Sequence, residues 1–84
     1  MSEPDSPPPS QDRLLDVMGL KCPLPVMRAR KALRDVPVGG TLKVLATDPG
    51  AVEDFEVLCR TTGNELVEST VDDRVFSFVI RRLT

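Results

Sequence analysis

Apolar positions recur along this chain with two different periods, and the changes between them separate six segments. Apolar residues at every second position predict β-strands over residues 14–18, 41–47, 65–71 and 74–82. Spacings of three and four predict a first helix from about Pro23 to about Asp35 and a second helix after Asp48-Pro49-Gly50. The predicted order of elements is β-α-β-α-β-β.

Each predicted helix has one apolar stripe, which identifies the side that packs against the sheet. In the first helix the stripe consists of Pro25, Val26, Ala29, Ala32, Leu33 and Val36. In the second helix it consists of Ala51, Val52, Phe55, Leu58 and Cys59. The last two strands form a hairpin around Asp72-Asp73. These patterns predict an α+β fold, a two-layer α/β sandwich with a four-stranded mixed sheet and two helices on one face.

Residues 1–13 differ in composition from the rest of the chain. They contain four prolines, three serines and no aliphatic residue after Met1, so they have little apolar surface to bury. We expect residues 1–13 to be a disordered tail and residues 14–84 to form one small domain with a thin core. One Pro-Pro-Pro run is a weak basis for a proline-rich ligand motif.

Composition excludes several classes of function. The chain has 84 residues, a net charge of −2 and only three aromatic residues, all phenylalanine, so its net charge gives no general attraction to nucleic acid and it lacks the stacking platform of many single-strand-binding proteins. It has no histidine and no Cys-x-x-Cys motif, which excludes the usual zinc sites and Cys-His catalysis. No stretch has the length and apolarity of a membrane span or a signal peptide. We expect a cytoplasmic protein without metal or other cofactor.

Cys22 is the candidate reactive residue, because it stands at the start of the first helix. The preceding strand ends at Gly19, and Pro23 and Pro25 suit a first helical turn, whose N–H groups have no partner within the helix. Helix N–H groups and the neighbouring Lys21 favour a thiolate, so we expect the pKa of Cys22 to lie below its ordinary value of about 8.5. From the residues alone, a small buried cysteine in a turn is an equal alternative.

A short motif surrounds this cysteine. Leu15-Asp16 and Gly19 precede Cys22-Pro23-Leu24-Pro25. The pattern continues through Thr47-Asp48-Pro49, Phe55 and Cys59 to a final strand near Arg81. It resembles the signature of the TusA/SirA-like sulfur carrier proteins over nearly the whole chain after residue 13. The resemblance implies the same two-layer fold, and it implies that Cys22 accepts a sulfane sulfur as a persulfide and passes it to a cysteine of another protein.

The resemblance also implies partners. The donor would be a cysteine desulfurase or another sulfur donor protein, and the acceptor would be a protein with a reactive cysteine. Downstream uses in the family include tRNA 2-thiouridine formation, molybdenum-cofactor metabolism and sulfur relay. The chain has one plausible nucleophile, with Lys21 and Asp16 as nearby polar side chains, and no sign of a substrate-sized cavity. It therefore fits a sulfurtransferase-type carrier better than an enzyme with its own substrate pocket.

The first predicted helix has a basic face opposite to its apolar stripe. Between Lys21 and Arg34 the chain has five cations and no anion. The part of this face within reach of Cys22 contains Leu24, Met27, Arg28 and Lys31. Apolar side chains surrounded by cations favour a docking patch for an acidic partner protein, while an ordinary solvated helix face is the alternative.

Two other functions remain open on the sequence. The basic helix would also suit a non-enzymatic regulatory or RNA-binding module, although acidic residues dominate from Asp48 to Asp73 and we expect no direct contact with nucleic acid. Alternatively, Cys22 would be a peroxide or thiol sensor that is oxidised to sulfenic acid.

Two positions outside the motif carry structural expectations. Cys59 belongs to the apolar stripe of the second helix, so we expect a buried core thiol rather than a resolving cysteine. Relatives often have Gly-His where this chain has Gly63-Asn64. We therefore expect no acid–base role at that position, and we expect sulfur carriage to survive the change.

Overall fold

The order of strands and helices follows from the hydrophobic pattern of the chain. A computed structural model describes residues 12–84, and within them the sequence-predicted order β-α-β-α-β-β is confirmed. The elements are β1 (Asp12–Asp16), α1 (Leu24–Leu33), β2 (Thr41–Ala46), α2 (Ala51–Thr62), β3 (Glu65–Asp72) and β4 (Val75–Arg81).

The four strands form one mixed sheet in the order β1-β2-β4-β3. Strand β1 runs parallel to β2, whereas β4 is antiparallel to both of its neighbours. A parallel pair requires a crossover between its strands, and α1 provides it. The predicted α+β sandwich is therefore confirmed, and the carboxyl ends of β1 and β2 lie at the same edge of the sheet.

The core lies between the helices and one face of the sheet. Its buried residues are Val17, Ala29, Leu33, Val36, Leu42, Val44, Ala46, Ala51, Phe55, Leu58, Cys59, Phe78 and Ile80. The rings of Phe55 and Phe78 stack with their centroids 4.5 Å apart. The apolar stripes predicted for both helices are confirmed, with Val26, Ala32 and Val52 half-buried at the margin.

The first strand begins earlier than predicted. Asp12 pairs with Thr41 of β2, and Arg13 follows it in the ladder, because backbone pairing does not require an apolar side chain at the end of a strand. These two residues therefore belong to the sheet rather than to the predicted tail. The disorder predicted for the remaining residues 1–11 lies outside the described part of the chain.

The turn between the last two strands also differs by one position from the prediction. Asp72 still pairs with Val75, so the turn consists of Asp73 and Arg74. Both turn residues have positive φ angles, 50° and 69°. Two consecutive positive φ angles are typical of the tight turns whose twist matches a β-hairpin.

The last residues of the chain fix the carboxyl ends of the helices. Arg82 donates from its guanidinium to the carbonyl oxygens at the end of α1, those of Leu33, Arg34 and Val36, over 3.3, 3.3 and 2.7 Å. Near the end of α2, Asn64 Oδ1 accepts the N–H groups of Leu83 and Thr84. Asn64 therefore makes a structural contact at the end of the chain, and the expectation that it has no acid–base role stays a prediction.

Neither helix has the length and apolarity that a bilayer crossing requires within residues 12–84, since α1 has 10 residues and α2 has 12. The same residues contain no cluster of three or more His, Cys, Asp or Glu side chains placed to hold a metal ion. The cytoplasmic location and the lack of a cofactor stay predictions.

Candidate functional site

Two loops meet at the carboxyl edge of the parallel strands. Because β1 and β2 are adjacent and parallel, the loop over residues 17–23 and the loop over residues 47–50 leave the sheet side by side. The Gly19 N–H donates to Thr47 Oγ1 over 2.9 Å, and the Cys22 N–H donates to Asp48 Oδ2. Side chains of the second loop therefore hold the backbone of the first.

Cys22 is exposed at the amino-terminal end of α1. The chain turns after β1 at Gly19, whose φ of 85° favours glycine, and enters α1 at Pro23 through a cis Cys22–Pro23 bond. On the side of α2, an added Cβ on Gly50 would lie 3.7 Å from the Cβ of Cys22. The thiol therefore sits between the amino-terminal ends of both helices.

The thiol of Cys22 contacts an acidic side chain of α2. Its Sγ donates a hydrogen bond to Oδ2 of Asp54, which lies in the first turn of α2. This hydrogen bond, then desolvation and the negative charges of Asp54 and Asp48, raise the pKa of Cys22 above its ordinary value. The prediction of a lowered pKa is therefore wrong.

The start of α1 provides fewer N–H donors than that prediction assumed. Pro23 and Pro25 have no N–H, and the N–H of Leu24 donates to the Lys21 carbonyl over 2.8 Å. No acidic residue lies in the first turn of α1, whereas Glu53 and Asp54 both lie in the first turn of α2. The nearest charges to the sulfur are therefore negative.

Lys21 and Asp16 lie in or beside the loop that contains Cys22, and neither is among the groups that shift the pKa of Cys22. Lys21 lines a crevice with Gly19, Thr47 and Asp48 on the side of the second loop. The Oδ1 atom of Asp16 accepts the N–H of the residue two positions later, over 2.9 Å, which is a common turn-forming contact of aspartate. The contribution of these two side chains to thiolate stability stays a prediction, and the shift of the Cys22 pKa comes from Asp54 and Asp48 instead.

An open groove of about 450 Å³ runs between α1 and α2 and begins at Cys22. Its lining includes Pro23, Val26 and Arg30 from the side of α1 and Glu53, Asp54, Val57, Leu58 and Thr61 from α2. The groove is thus apolar in part, with a cation on one wall and two carboxylates on the other. No cavity was predicted from the sequence, because this groove arises from the spacing of two helices that are separated along the chain.

Comparison with known proteins identifies the family. The sequence model of the family described as "Sulfurtransferase TusA" matches residues 13–82. The chain belongs to the TusA family. A Neisseria meningitidis serogroup A protein is 54% identical over 67 residues, which span 80% of this chain and 90% of the relative. The sulfur carrier protein TusA of Allochromatium vinosum is 48% identical over 71 residues, 84% of this chain and 93% of the relative.

A solved structure agrees with this TusA-family membership. The crystal structure of a SirA-like protein from Desulfitobacterium hafniense superposes with a TM-score of 0.75 at 27% identity. The match covers 86% of this chain and 99% of the other chain. The resemblance inferred from the Cys-Pro-x-Pro motif is therefore confirmed for both family and fold.

The predicted docking residues of this TusA-family chain lie together on the outer face of α1. Leu24 and Met27 are 42% and 57% exposed, which is high for apolar side chains. Arg28 and Lys31 are exposed beside them. These four residues are therefore exposed on the helix that begins directly after Cys22, and their role in docking stays a prediction.

Cys59 lies in a different environment. It is 4% exposed in the core, and burial raises the pKa of its thiol. Both cysteines are free thiols. The prediction that Cys59 is a buried core residue is confirmed.

Two residues of the site, Asp48 and Asp54, are not among the site residues predicted from the sequence. The carboxylate of Asp48 accepts the N–H groups of Cys22 and Gly50. The carboxylate of Asp54, in the first turn of α2, accepts the hydrogen bond from the Cys22 thiol. The Thr47-Asp48-Pro49 segment of the family pattern was the available signal for the first, and nothing in the sequence pointed to the second.

Proposed function

We propose that this chain is a sulfur carrier whose Cys22 accepts a sulfane sulfur as a persulfide and relays it to a cysteine of an acceptor protein. The observation that carries the proposal is the exposed Cys22 thiol at the junction of two tied loops, in a chain of the TusA family. Relatives of this family are named sulfur carrier proteins. A fixed backbone beneath an exposed thiol suits repeated exchange with large partners.

The chemistry is an exchange between sulfur atoms. The Cys22 thiolate attacks the terminal sulfur of the donor persulfide, the S–S bond of the donor breaks, and the donor's inner sulfur leaves as a thiolate. Delivery repeats the step, with an acceptor thiolate attacking the terminal sulfur on Cys22. Each exchange makes one S–S bond and breaks one, so no oxidant, reductant or cofactor is needed.

The proposal also includes the proteins with which this chain exchanges sulfur. A cysteine desulfurase is the donor class that the family resemblance favours, and tRNA 2-thiouridine formation, molybdenum-cofactor metabolism and sulfur relay are the candidate uses. The surface formed by Leu24, Met27, Arg28 and Lys31 provides an apolar centre with cations around it. It suits an acidic partner surface that places its own sulfur next to Cys22.

Intact-protein mass spectrometry tests the carrier function. After incubation with a cysteine desulfurase and cysteine, the wild-type chain should gain one sulfur atom that a reductant removes. Cys22→Ser should lose this gain and Cys59→Ser should keep it. If no sulfur is gained from the desulfurase or from a small-molecule persulfide, the carrier function is wrong, and salt-sensitive RNA binding that survives Cys22→Ala would favour a binding module.

Charge reversal tests the docking surface. Arg28→Glu with Lys31→Glu should slow transfer from the donor by about tenfold or more at low salt, and less at high salt, because opposite charges steer association. Lys43→Glu with Arg74→Glu, which reverses two exposed charges on the strand β2 and the hairpin turn, should leave transfer unchanged. Equal rates in all three proteins would exclude docking through this face.

A further inference from the structure

The contact between Asp54 and Cys22 is built into the start of α2. The Asp54 N–H donates to the Gly50 carbonyl over 3.3 Å, and a Cβ added to Gly50 would lie 3.7 Å from the Cβ of Cys22. The carboxylate therefore projects from a helical turn that begins close to the cysteine. The Cys22 Sγ–H donates to Oδ2 of this carboxylate.

This hydrogen bond exists only while Cys22 carries no sulfur. In the thiol, Sγ bears the hydrogen that Asp54 accepts. In a persulfide, Sγ is bonded to Cβ and to a second sulfur, so it has no hydrogen to donate. Loading therefore replaces a hydrogen bond to a charged acceptor with a contact between two groups that only accept.

The charges around the thiol strengthen this difference. Asp54 and Glu53 face the groove from α2, and Asp48 faces Cys22 from the second loop. Arg30 is the cation on the opposite wall of the groove, and Lys21 precedes the cysteine. An anionic persulfide would thus lie closer to carboxylates than to these cations along the wall that the thiol contacts.

We propose, given the carrier function above, that Asp54 is a catalytic residue that biases Cys22 toward its unloaded form, so that the carrier gives up its sulfur readily. In loading, Cys22–SH and the persulfide anion of a donor, R–S–S⁻, become the persulfide anion Cys22–S–S⁻ and R–SH, so the proton of Cys22 passes to the leaving sulfur of the donor. In delivery, the acceptor thiol takes the terminal sulfur from Cys22, and its proton passes to the Cys22 sulfur, which becomes a thiol again. Asp54 disfavours loading and favours delivery, since only the thiol form of Cys22 donates to it.

The first test measures how the reactivity of Cys22 depends on pH. Alkylation of Cys22 by iodoacetamide is followed by intact mass in wild type, Asp54→Asn and Glu56→Gln. Asp54→Asn should move the midpoint of the profile to lower pH, because the charge that disfavours the thiolate is gone. For each unit by which the pKa falls, the thiolate fraction near pH 7 rises about tenfold while the intrinsic reactivity of the thiolate falls about threefold, so alkylation should become about threefold faster. Glu56→Gln, which removes one exposed charge from the same helix outside the groove lining, should change little.

The second test measures the sulfur equilibrium itself. The three proteins are equilibrated with fixed ratios of glutathione persulfide to glutathione, and the loaded fraction is read by intact mass. Asp54→Asn should raise the equilibrium constant for loading about two- to fivefold, a modest change because the site is exposed to solvent. Asp54→Glu retains a carboxylate on the same wall and should stay closer to wild type in both tests, which a merely structural defect would not do.

The outcomes separate this inference from the carrier function. If wild type takes up sulfur at Cys22 but Asp54→Asn loads to the same equilibrium as wild type, the inference is wrong and the carrier function stands. If wild type takes up no sulfur at Cys22, both are wrong. The inference is supported if Asp54→Asn, and not the control variant, shows both an alkylation profile shifted to lower pH and a larger equilibrium constant for loading.

Discussion

Cys22 and Cys59 both hold their protons more tightly than an ordinary thiol, yet two different surroundings cause it. Cys22 is exposed where two loops meet, and a hydrogen bond to Asp54 is the main reason that its pKa is raised. Cys59 lies in the core, and burial raises the pKa of its thiol. The pKa of Cys22 therefore depends mainly on one polar contact, whereas the pKa of Cys59 depends on the packing of the helices against the sheet.

The difference shows how a small fold can separate reactivity from stability. The core around Cys59 fixes α2 against the sheet, and the first turn of α2 then presents Asp54 to Cys22. A contact at the surface can be altered by a partner without disturbing the core. The residues that hold the fold and the residues that adjust the thiol should therefore respond differently to substitution.

The largest expected effect comes from breaking the core. Phe55→Ala removes a fully buried ring that stacks on Phe78, and we expect a loss of about 3–5 kcal/mol in the free energy of unfolding. For a domain of this size that is a large share of the total. Urea denaturation measures the change, and alkylation at Cys59 should become fast as its burial is lost.

A matched control lies on the exposed side of the same helix. Val57 is 40% exposed, so Val57→Ala should change the free energy of unfolding by no more than about 0.5 kcal/mol. Equal losses for the two variants would mean that stability does not reside in the layer between α2 and the sheet.

The core was predictable from the sequence because it depends on periodicity. The stripe from Ala51 to Cys59 and the alternation that includes Phe78 and Ile80 are each local patterns, and each is confirmed. The family motif likewise located Cys22. The contact with Asp54 was not predictable, because it links the loop after β1 to the first turn of α2 and depends on the side-by-side placement of β1 and β2. An acidic residue such as Asp54 is common in the first turn of a helix, because it interacts favourably with the helix dipole. Its presence there therefore gave no reason to expect a contact with Cys22.

Replacing each cysteine by serine compares the two regions directly. Cys59→Ser places a hydroxyl in an apolar core and should cost about 1–2 kcal/mol, even if the hydroxyl bonds to a helix carbonyl. Cys22→Ser should change the free energy of unfolding by less than about 0.5 kcal/mol, because the position is exposed. Urea denaturation of both variants measures this contrast. A larger loss at Cys22 would show that its contact with Asp54 supports the fold as well as the thiol.

Loosening the loops should have a smaller effect on stability. Thr47→Val keeps the shape of the side chain but removes the oxygen that accepts the Gly19 N–H. Water can replace this acceptor at an exposed glycine, so we expect a loss of about 0.5–1 kcal/mol. Thermal unfolding measures it, with Thr70→Val on the exposed strand β3 as the matched control. No difference between the two variants would mean that the tie between the loops adds nothing to stability.

The smallest expected effect is the pH dependence of stability that Cys59 causes. Below the pKa of an unfolded thiol, about 8.5, both states hold the proton and Cys59 contributes no pH dependence. As the pH rises through that value, the unfolded chain releases the proton while the buried thiol keeps it, so the free energy of unfolding falls by about 0.4 kcal/mol at pH 8.5 and by more above it. Urea midpoints between pH 7 and pH 9 should therefore fall less in Cys59→Ala than in wild type. The raised pKa of Cys22 acts in the same direction. Its causes are the hydrogen bond to Asp54, then desolvation and the negative charges of Asp54 and Asp48, so salt should reduce the part due to these charges and leave the share of Cys59 unchanged. Equal sensitivity to salt in Cys22→Ala and Cys59→Ala would contradict the separation of the two causes.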